Sequence, residues 1–320
     1  LKKLLLIVFT LALVIALAAC GSEENAGNNG TTGNNGENTE NTGDTTGNTG
    51  GSAEETKGNG TLDKALEDGV ITIAYAQEPP YSYMEDDELK GAAVEIAREV
   101  FKGIGIEKME PKLTKWEQLI PGLKTGEFDA IVAGMAVKPD RCEQVDFGEL
   151  EIKYGEGIVV QKGNPQDIHS YQDIADNSDV KVAVMSGATE YDFLLDAGVS
   201  EDQIQLAPSI AATLDLVKTG RADVTTATEM TVKKAMESVG GDDLEYVQDF
   251  VQPDVDGVPS YGAVAFNADA DALREAYNAE LQKLKDSGKI KEILSSDALP
   301  FWGEANLVDE GVTTEQLCQG

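Results

Sequence analysis

The segment Phe128–Cys142, FDAIVAGMAVKPDRC, decides how this chain folds. Its apolar half, Phe128 to Ala133, reads as a buried strand, and the remainder runs through Gly134 to Arg141 and Cys142. Pro139 suits a first helical position and Asp140 a first helical turn, so a helix starts shortly after the strand. Arg141 then stands just beyond a strand's carboxyl end, placed to hold a carboxylate through a two-pronged hydrogen bond. The competing assignment is a surface arginine paired with one of many acids.

Working outward, strand and helix alternate. Val70 to Ala76 reads as a strand, and Ala93, Ile96, Ala97, Val100, Phe101 and Ile104 share one helical face. Trp116 to Lys124 is a short helix leading into the strand at Phe128. Gly155 to Gln161 is a strand after which the alternation restarts. Val180 to Met185, helices from Thr189 and from Ser209 to Thr219, and the strand Ala222 to Ala227 make a second unit. Tyr261 to Phe266 is a returning strand, and Leu273, Ala276, Tyr277, Leu281 and Leu284 mark a long helix. One α/β unit interrupted by another predicts two hinged α/β lobes, joined by two crossover segments around a central ligand cleft. The expected limits are 61–155 with 262–320 for the first lobe and 156–261 for the second. Hinge crossings are expected near Tyr154 to Val160 and Gln252 to Ala265.

Ahead of the fold, Lys2 and Lys3 precede the apolar run Leu4 to Leu17, which ends at Ala18-Ala19-Cys20-Gly21. A charged start, a short apolar stretch and small residues describe an export signal over 1–19, too short for a confident membrane span. Leu-Ala-Ala-Cys resembles the lipobox of bacterial lipoproteins, which implies cleavage before Cys20 and lipid attachment to its thiol. Residues 20–60, rich in Asn, Gly, Thr and Glu, cannot bury enough surface to offset ordering entropy and read as a tether. The expected location is the outer face of a bacterial cytoplasmic membrane, on a Gram-positive cell surface. The net charge of −33 makes nucleic acid and anionic lipid poor partners.

Residues from Leu62 to about Cys318 resemble the extracellular solute-binding proteins of ABC importers, in the polar amino-acid group with the type II periplasmic-binding fold. The matching stretches are Glu78-Pro-Pro-Tyr81, Trp116 to Leu123, Gly126-Glu-Phe-Asp129, Gly134-Met with Pro139-Asp-Arg141, Ser186-Gly-Ala-Thr189 and Gly220-Arg-Ala-Asp223. The resemblance implies that Arg141 takes a ligand carboxylate, aided by backbone N–H groups around Gly187 and Thr189, and that cargo passes to permease subunits. It also implies a threonine and an aspartate for a primary ammonium, yet this chain carries Ala136 and Thr228 there. A buried ammonium without its carboxylate would cost several kcal/mol, so an ordinary α-amino acid fits poorly.

Glu78, Tyr81 and Trp116 remain as one acid with aromatic walls, which suits a delocalised or methylated cation. The Trp116 helix, Asp140-Arg-Cys142, Tyr261 to Phe266 and the ending Val312 to Cys318 are similar to ectoine- and hydroxyectoine-binding proteins. That resemblance implies Glu78 against the cyclic amidinium, Tyr81 and Trp116 as walls, and Arg141 and Thr189 on the carboxylate. Ala136 stands where those proteins place a third aromatic. A betaine and a polar amino acid remain as other ligands. Tyr83 is expected at the core or rim, Phe266, Phe301 and Trp302 in core or hinge packing, and His169 as a surface or structural residue.

Cys142 and Cys318 form an even extracellular pair, which predicts a disulfide tying the tail beside Arg141; the alternative is two free thiols. An extracellular dehydratase on the same fold would need a general acid or base over the ligand, and Glu78 is the one obvious candidate. A single histidine excludes Ser-His-Asp and most zinc arrangements, and no metal or cofactor motif is expected. A sensory receptor would need a span and a cytoplasmic module after the fold. The expectation is a monomeric delivery protein, not an enzyme.

Overall fold

The computed structural model describes residues 59–239 and 242–319. The expected signal at 1–19, the lipidated Cys20 and the tether up to residue 58 lie outside those residues. Helix Asn59–Asp68 begins where the last two residues of the expected tether stand.

Two sheets organise the described chain. The first runs Lys108–Leu113, Val70–Tyr75, Ala130–Ala136, Ser260–Phe266 and Asp146–Phe147, with Ile152–Tyr154 also paired to Ser260–Phe266. Val70–Tyr75 is parallel to both its neighbours, while Ser260–Phe266 returns antiparallel to Ala130–Ala136. The second sheet runs Ile204–Ala207, Val182–Met185, Val224–Thr228, Glu156–Gln161 and Leu244–Tyr246. Its antiparallel member is Glu156–Gln161, the strand that enters from the first lobe.

The central strand is shifted from its expected place. It spans Ala130–Ala136, all seven residues buried, instead of Phe128 to Ala133. Phe128 and Asp129 have other work: the Phe128 ring packs against Gly122, and Asp129 caps the neighbouring strand by accepting from Thr72 N at 2.9 Å. Gly134 keeps the strand going with φ 61°, and a Cβ there would stand 2.6 Å from the Tyr81 ring. Glycine is therefore required both for the backbone conformation and for the close approach of that ring.

Helix Ala92–Ile104 shows the expected apolar face, burying Val94, Ile96, Ala97, Val100 and Phe101 against the first sheet. Truncating Phe101, fully buried against Tyr277, would cost about 3–5 kcal/mol. Gly105 ends the helix in the left-handed region, its N–H reaching back to Lys102 O and Phe101 O. On the sheet's other face Leu119, Leu123, Phe128, Val145 and Leu150 form a second cluster. The second lobe likewise carries a cluster on each face, one around Ile158, Tyr171 and Phe193 and one around Val159, Leu214 and Val217.

The chain leaves the first sheet at Tyr154 and enters the second at Glu156, so Gly155 alone separates the two. It returns between Tyr246 and Ser260. Ser260 and Tyr261, expected in the second lobe, belong to the first, because they pair with Tyr154 and Lys153. The Gln252 amide ties one crossing to the other, accepting from Glu156 N at 2.7 Å and donating to Glu156 O at 2.8 Å. A side chain here supplies the two hydrogen bonds that a neighbouring strand would make.

The tail packs on the first lobe. Cys318, in helix Thr314–Gln319, is disulfide-bonded to Cys142 with Cα atoms 5.6 Å apart. Thr314 donates to Gly148 O at 2.8 Å, and Asp309 accepts from Lys153 and Tyr261. With the cysteines 176 positions apart in sequence, chain entropy assigns the bridge up to about 5 kcal/mol. Cys318→Ser should lower unfolding stability by several kcal/mol, measured by denaturant titration; an unchanged midpoint would show that the bridge does not constrain the unfolded chain.

Candidate ligand-binding cleft

The lobes meet around a narrow cavity whose unfilled space, counted together with its opening to solvent, is about 410 Å³. Its first-lobe wall includes Glu78, Tyr81, Trp116 and Arg141, and its second-lobe wall Thr189, Glu190, Thr226 and Thr228. Six of the seven expected ligand contacts line it directly. The seventh, Gly187, contributes its carbonyl at the edge, accepting from Trp116 Nε1 at 3.0 Å and from Arg141 at 3.2 Å.

The Glu78–Tyr81 loop is held by its own backbone. Tyr81 N and Ser82 N donate to Glu78 O, and Glu78 N donates to Ser82 O at 2.9 Å. The start of helix Ala92–Ile104 then fastens it, since Ala92 N and Ala93 N donate to Pro80 O and Tyr81 O. That contact requires Gly91: at φ 122°, a Cβ would lie 2.2 Å from Tyr81 O. The Tyr81 ring is 2% exposed and meets Tyr154 and Trp302 edge-on at 5.1 and 4.9 Å. Trp302 thus supports the binding wall directly. Tyr81 Oη makes no hydrogen bond of good geometry, with Thr228, Glu78 and Glu156 around it.

Arg141 is 6% exposed, in the four-residue helix Pro139–Cys142. One guanidinium nitrogen donates to Ala136 O at 3.0 Å and another to Gly187 O in the opposite lobe. Its carbon lies 5.8 Å from the Trp116 ring centroid, within cation–π range. A further interlobe contact, Lys138 Nζ to Asp192 Oδ2 at 2.5 Å, lies at the cleft's rim.

Glu78 faces the other lobe. Its Oε1 accepts from Thr231 at 3.0 Å, and Thr231 in turn accepts from Thr228. Burial first, then the Glu190 charge, lifts the Glu78 carboxyl to about 7, against the Thr231 hydrogen bond and Arg141.

Sequence alone places one acid in this cleft; the structure brings three together. Glu190 lines the cavity beside Thr189, whose hydroxyl reaches its Oε2 at 3.4 Å. Glu156, behind it, is wholly buried. Burial raises both carboxyls above the usual range, Glu156 far above, with Glu190 adding to the effect on Glu156. The exclusion of an ammonium ligand for lack of a carboxylate therefore rested on an incomplete inventory. A signal existed: Glu156 heads an apolar strand whose other members are buried, and Glu190 follows a residue already assigned to the cleft. In so acidic a chain neither stands out from the many other acids.

Tyr154 and Thr231 were also missed. Tyr154 lines the cavity and donates to Gly134 O at 2.8 Å, and its neighbours become visible only once the lobes are placed. Ala136 lines the cavity with its small side chain. His169 is a partly exposed residue bonded to Asp249 and Asp167, away from the cleft. Among the described residues no His, Cys, Asp and Glu group is arranged to hold a metal ion.

Known proteins resemble the chain along most of its length. The family model described as bacterial extracellular solute-binding proteins, family 3, matches residues 71–296. A probable amino-acid ABC transporter periplasmic-binding protein of Sinorhizobium fredii, y4tE, is 35% identical over 263 residues, spanning 81% of this chain and 86% of that protein. The L-cystine-binding protein TcyA of Bacillus subtilis is 26% identical over 298 residues, 91% of this chain and 96% of that one. Among solved structures, EhuB in complex with hydroxyectoine superposes with a TM-score of 0.70 at 32% identity, covering 81% of this chain and 98% of EhuB. With this lobe arrangement and these matches, the chain belongs to the bacterial extracellular solute-binding proteins of family 3 and has the type II periplasmic-binding fold.

Proposed function

We propose that this protein captures a small zwitterionic compatible solute, a cyclic amidine acid of the ectoine and hydroxyectoine kind, and delivers it to the permease of an ABC importer. The lipid at Cys20 would hold it as a monomer at the outer membrane face. The observation that carries the ligand assignment is that one cavity is lined by the Arg141 guanidinium, the acids Glu78 and Glu190, and the Tyr81 and Trp116 rings. Such a lining offers a guanidinium to a ligand carboxylate and acids to a ligand cation, and aromatic rings favour a cation whose charge is spread. The hydroxyectoine complex of EhuB supports the assignment at 32% identity.

Ala136 favours a second ligand class. Its small side chain leaves that wall open to a bulkier group, and Glu78 and Glu190 offer partners to an amino-acid ammonium or guanidinium. We read the protein as a carrier, not a catalyst: Glu78, the one acid assigned to such chemistry, is engaged by Thr231 across the lobes. Ligand favours closure through its differential affinity for the closed form.

A thermal-shift screen of ectoine, hydroxyectoine, glycine betaine, arginine, glutamate and glutamine checks the assignment; the two ectoines should raise the melting temperature most. A response confined to arginine, glutamate or glutamine would replace the ligand class. Arg141→Ala should weaken calorimetric affinity more than tenfold, because a buried carboxylate loses its charged partner. Near-wild-type affinity would remove Arg141 from the site.

Acid–base behaviour gives a further check. Since the folded protein holds Glu78 near 7, above its unfolded value, the stability contributed is complete below the ordinary carboxylate range and is lost as pH rises through about 7. Unliganded protein should therefore lose stability between about pH 4.5 and 7, and Glu78→Gln should remove about 1.4 kcal/mol per pH unit of that slope. Equal slopes in chemical denaturation would show Glu78 to be ionised throughout.

A further inference from the structure

Glu156 is the least satisfied polar group near the cleft. It is 0% exposed, and neither carboxyl oxygen has a hydrogen-bond donor. Its main chain, by contrast, is fixed at both N–H and C=O by Gln252, immediately after the hinge residue Gly155. Glu190, buried as well, forms part of the cavity wall, and after burial its charge is what most raises the Glu156 carboxyl. Two buried carboxylates in one site disfavour each other's charge, whereas one proton between them turns repulsion into a strong hydrogen bond.

The groups facing this pair come from both lobes. Arg141, Glu78 and the Tyr81 and Tyr154 phenols face it from the first, and Tyr171 and Thr189 from the second. Arg141 is the one cation among them, and Glu78 competes for its charge. A second positive charge is thus missing from the acid end of the cleft, and Glu190 is the member of the pair that a ligand can reach.

We propose that Glu156 and Glu190 hold one proton between them in the ligand-free cleft, and that an N–H-bearing cation of the ligand displaces it on taking Glu190 as partner. The ligand's charge replaces the proton's, the proton passes to solvent, and no covalent bond is made or broken. Ligand capture is then linked to proton release, and acidification weakens it. Glu190 also becomes a specificity residue: an amidinium, guanidinium or ammonium can donate to it, while a quaternary ammonium cannot. This extends the proposed function only in needing a cationic ligand.

Two measurements on the full chain separate the parts. Infrared difference spectra of ligand-free wild type against Glu156→Gln at about pH 7 should show one protonated carboxyl lost in the variant, with Glu190→Gln as the second comparison. Identical protonated-carboxyl bands in all three would overturn the shared proton, whatever the ligand. Titration calorimetry with ectoine and with L-arginine at about pH 8, above the Glu78 range, in buffers of differing ionisation enthalpy, should show about one proton released per molecule bound to wild type and clearly less for Glu156→Gln. Binding without proton release, or glycine betaine binding more tightly than either probe, would overturn the displacement. Failure of both probes to bind would count against the proposed function and against the displacement, while the infrared result would still decide the pair.

Discussion

Arg141 carries a charge that the whole cleft depends on. Glu78, Glu156 and Glu190 are each at least nine-tenths buried, and one guanidinium stands against them. Burying an uncompensated charge costs several kcal/mol, so the position of that guanidinium controls which acids can ionise. Two carbonyls hold it: Ala136 O on its own lobe and Gly187 O on the other. The same side chain therefore offers a binding cation and bridges the lobes. Any rearrangement that parts the lobes takes the Gly187 carbonyl away from it and changes the balance around all three acids.

The walls of the cavity are supported from far along the chain. Tyr81 is set by a loop that Gly91 and Gly134 allow to pass close to two backbones, and its ring leans on Tyr154 and Trp302. Trp302 precedes the tail that the Cys142–Cys318 bridge fastens one residue from Arg141. Perpendicular, edge-to-face contacts of this kind hold the rings in place. The disulfide is thereby part of the site's architecture, although neither cysteine lines the cavity.

Much of this was legible in sequence, for reasons that differ by residue. Arg141 was recognisable because proline, aspartate and an apolar run mark a strand end and a helix start locally. The alternation of units predicted two lobes because periodicity needs no tertiary information. Ser260 and Tyr261 were assigned to the wrong lobe because a strand of seven buried residues carries no mark of the sheet it joins. The central strand slid by two residues because Gly134, read as its end, is tolerated inside it where the Tyr81 ring passes. Glu156 and Glu190 were lost for a physical reason too. A carboxylate is usually solvated, and only the folded arrangement shows two that water cannot reach.

Those two acids also join the hinge to the chemistry. Glu156 follows Gly155, and Gln252 grips its peptide from the other crossing, so its side chain is aimed by the hinge itself. Glu190 belongs to the helix beginning after Thr189, which faces Arg141. A change in hinge angle would alter the approach of Glu156 to Glu190 and the distance of Glu190 from Arg141 at once. Under the proposed proton sharing, opening the cleft would admit water to the pair and weaken its hold on the proton, while closing it without a cation would strengthen that hold. The empty closed state and the liganded closed state would then differ by a proton as well as by a ligand, and the acidity of the surroundings would enter the equilibrium between open and closed lobes.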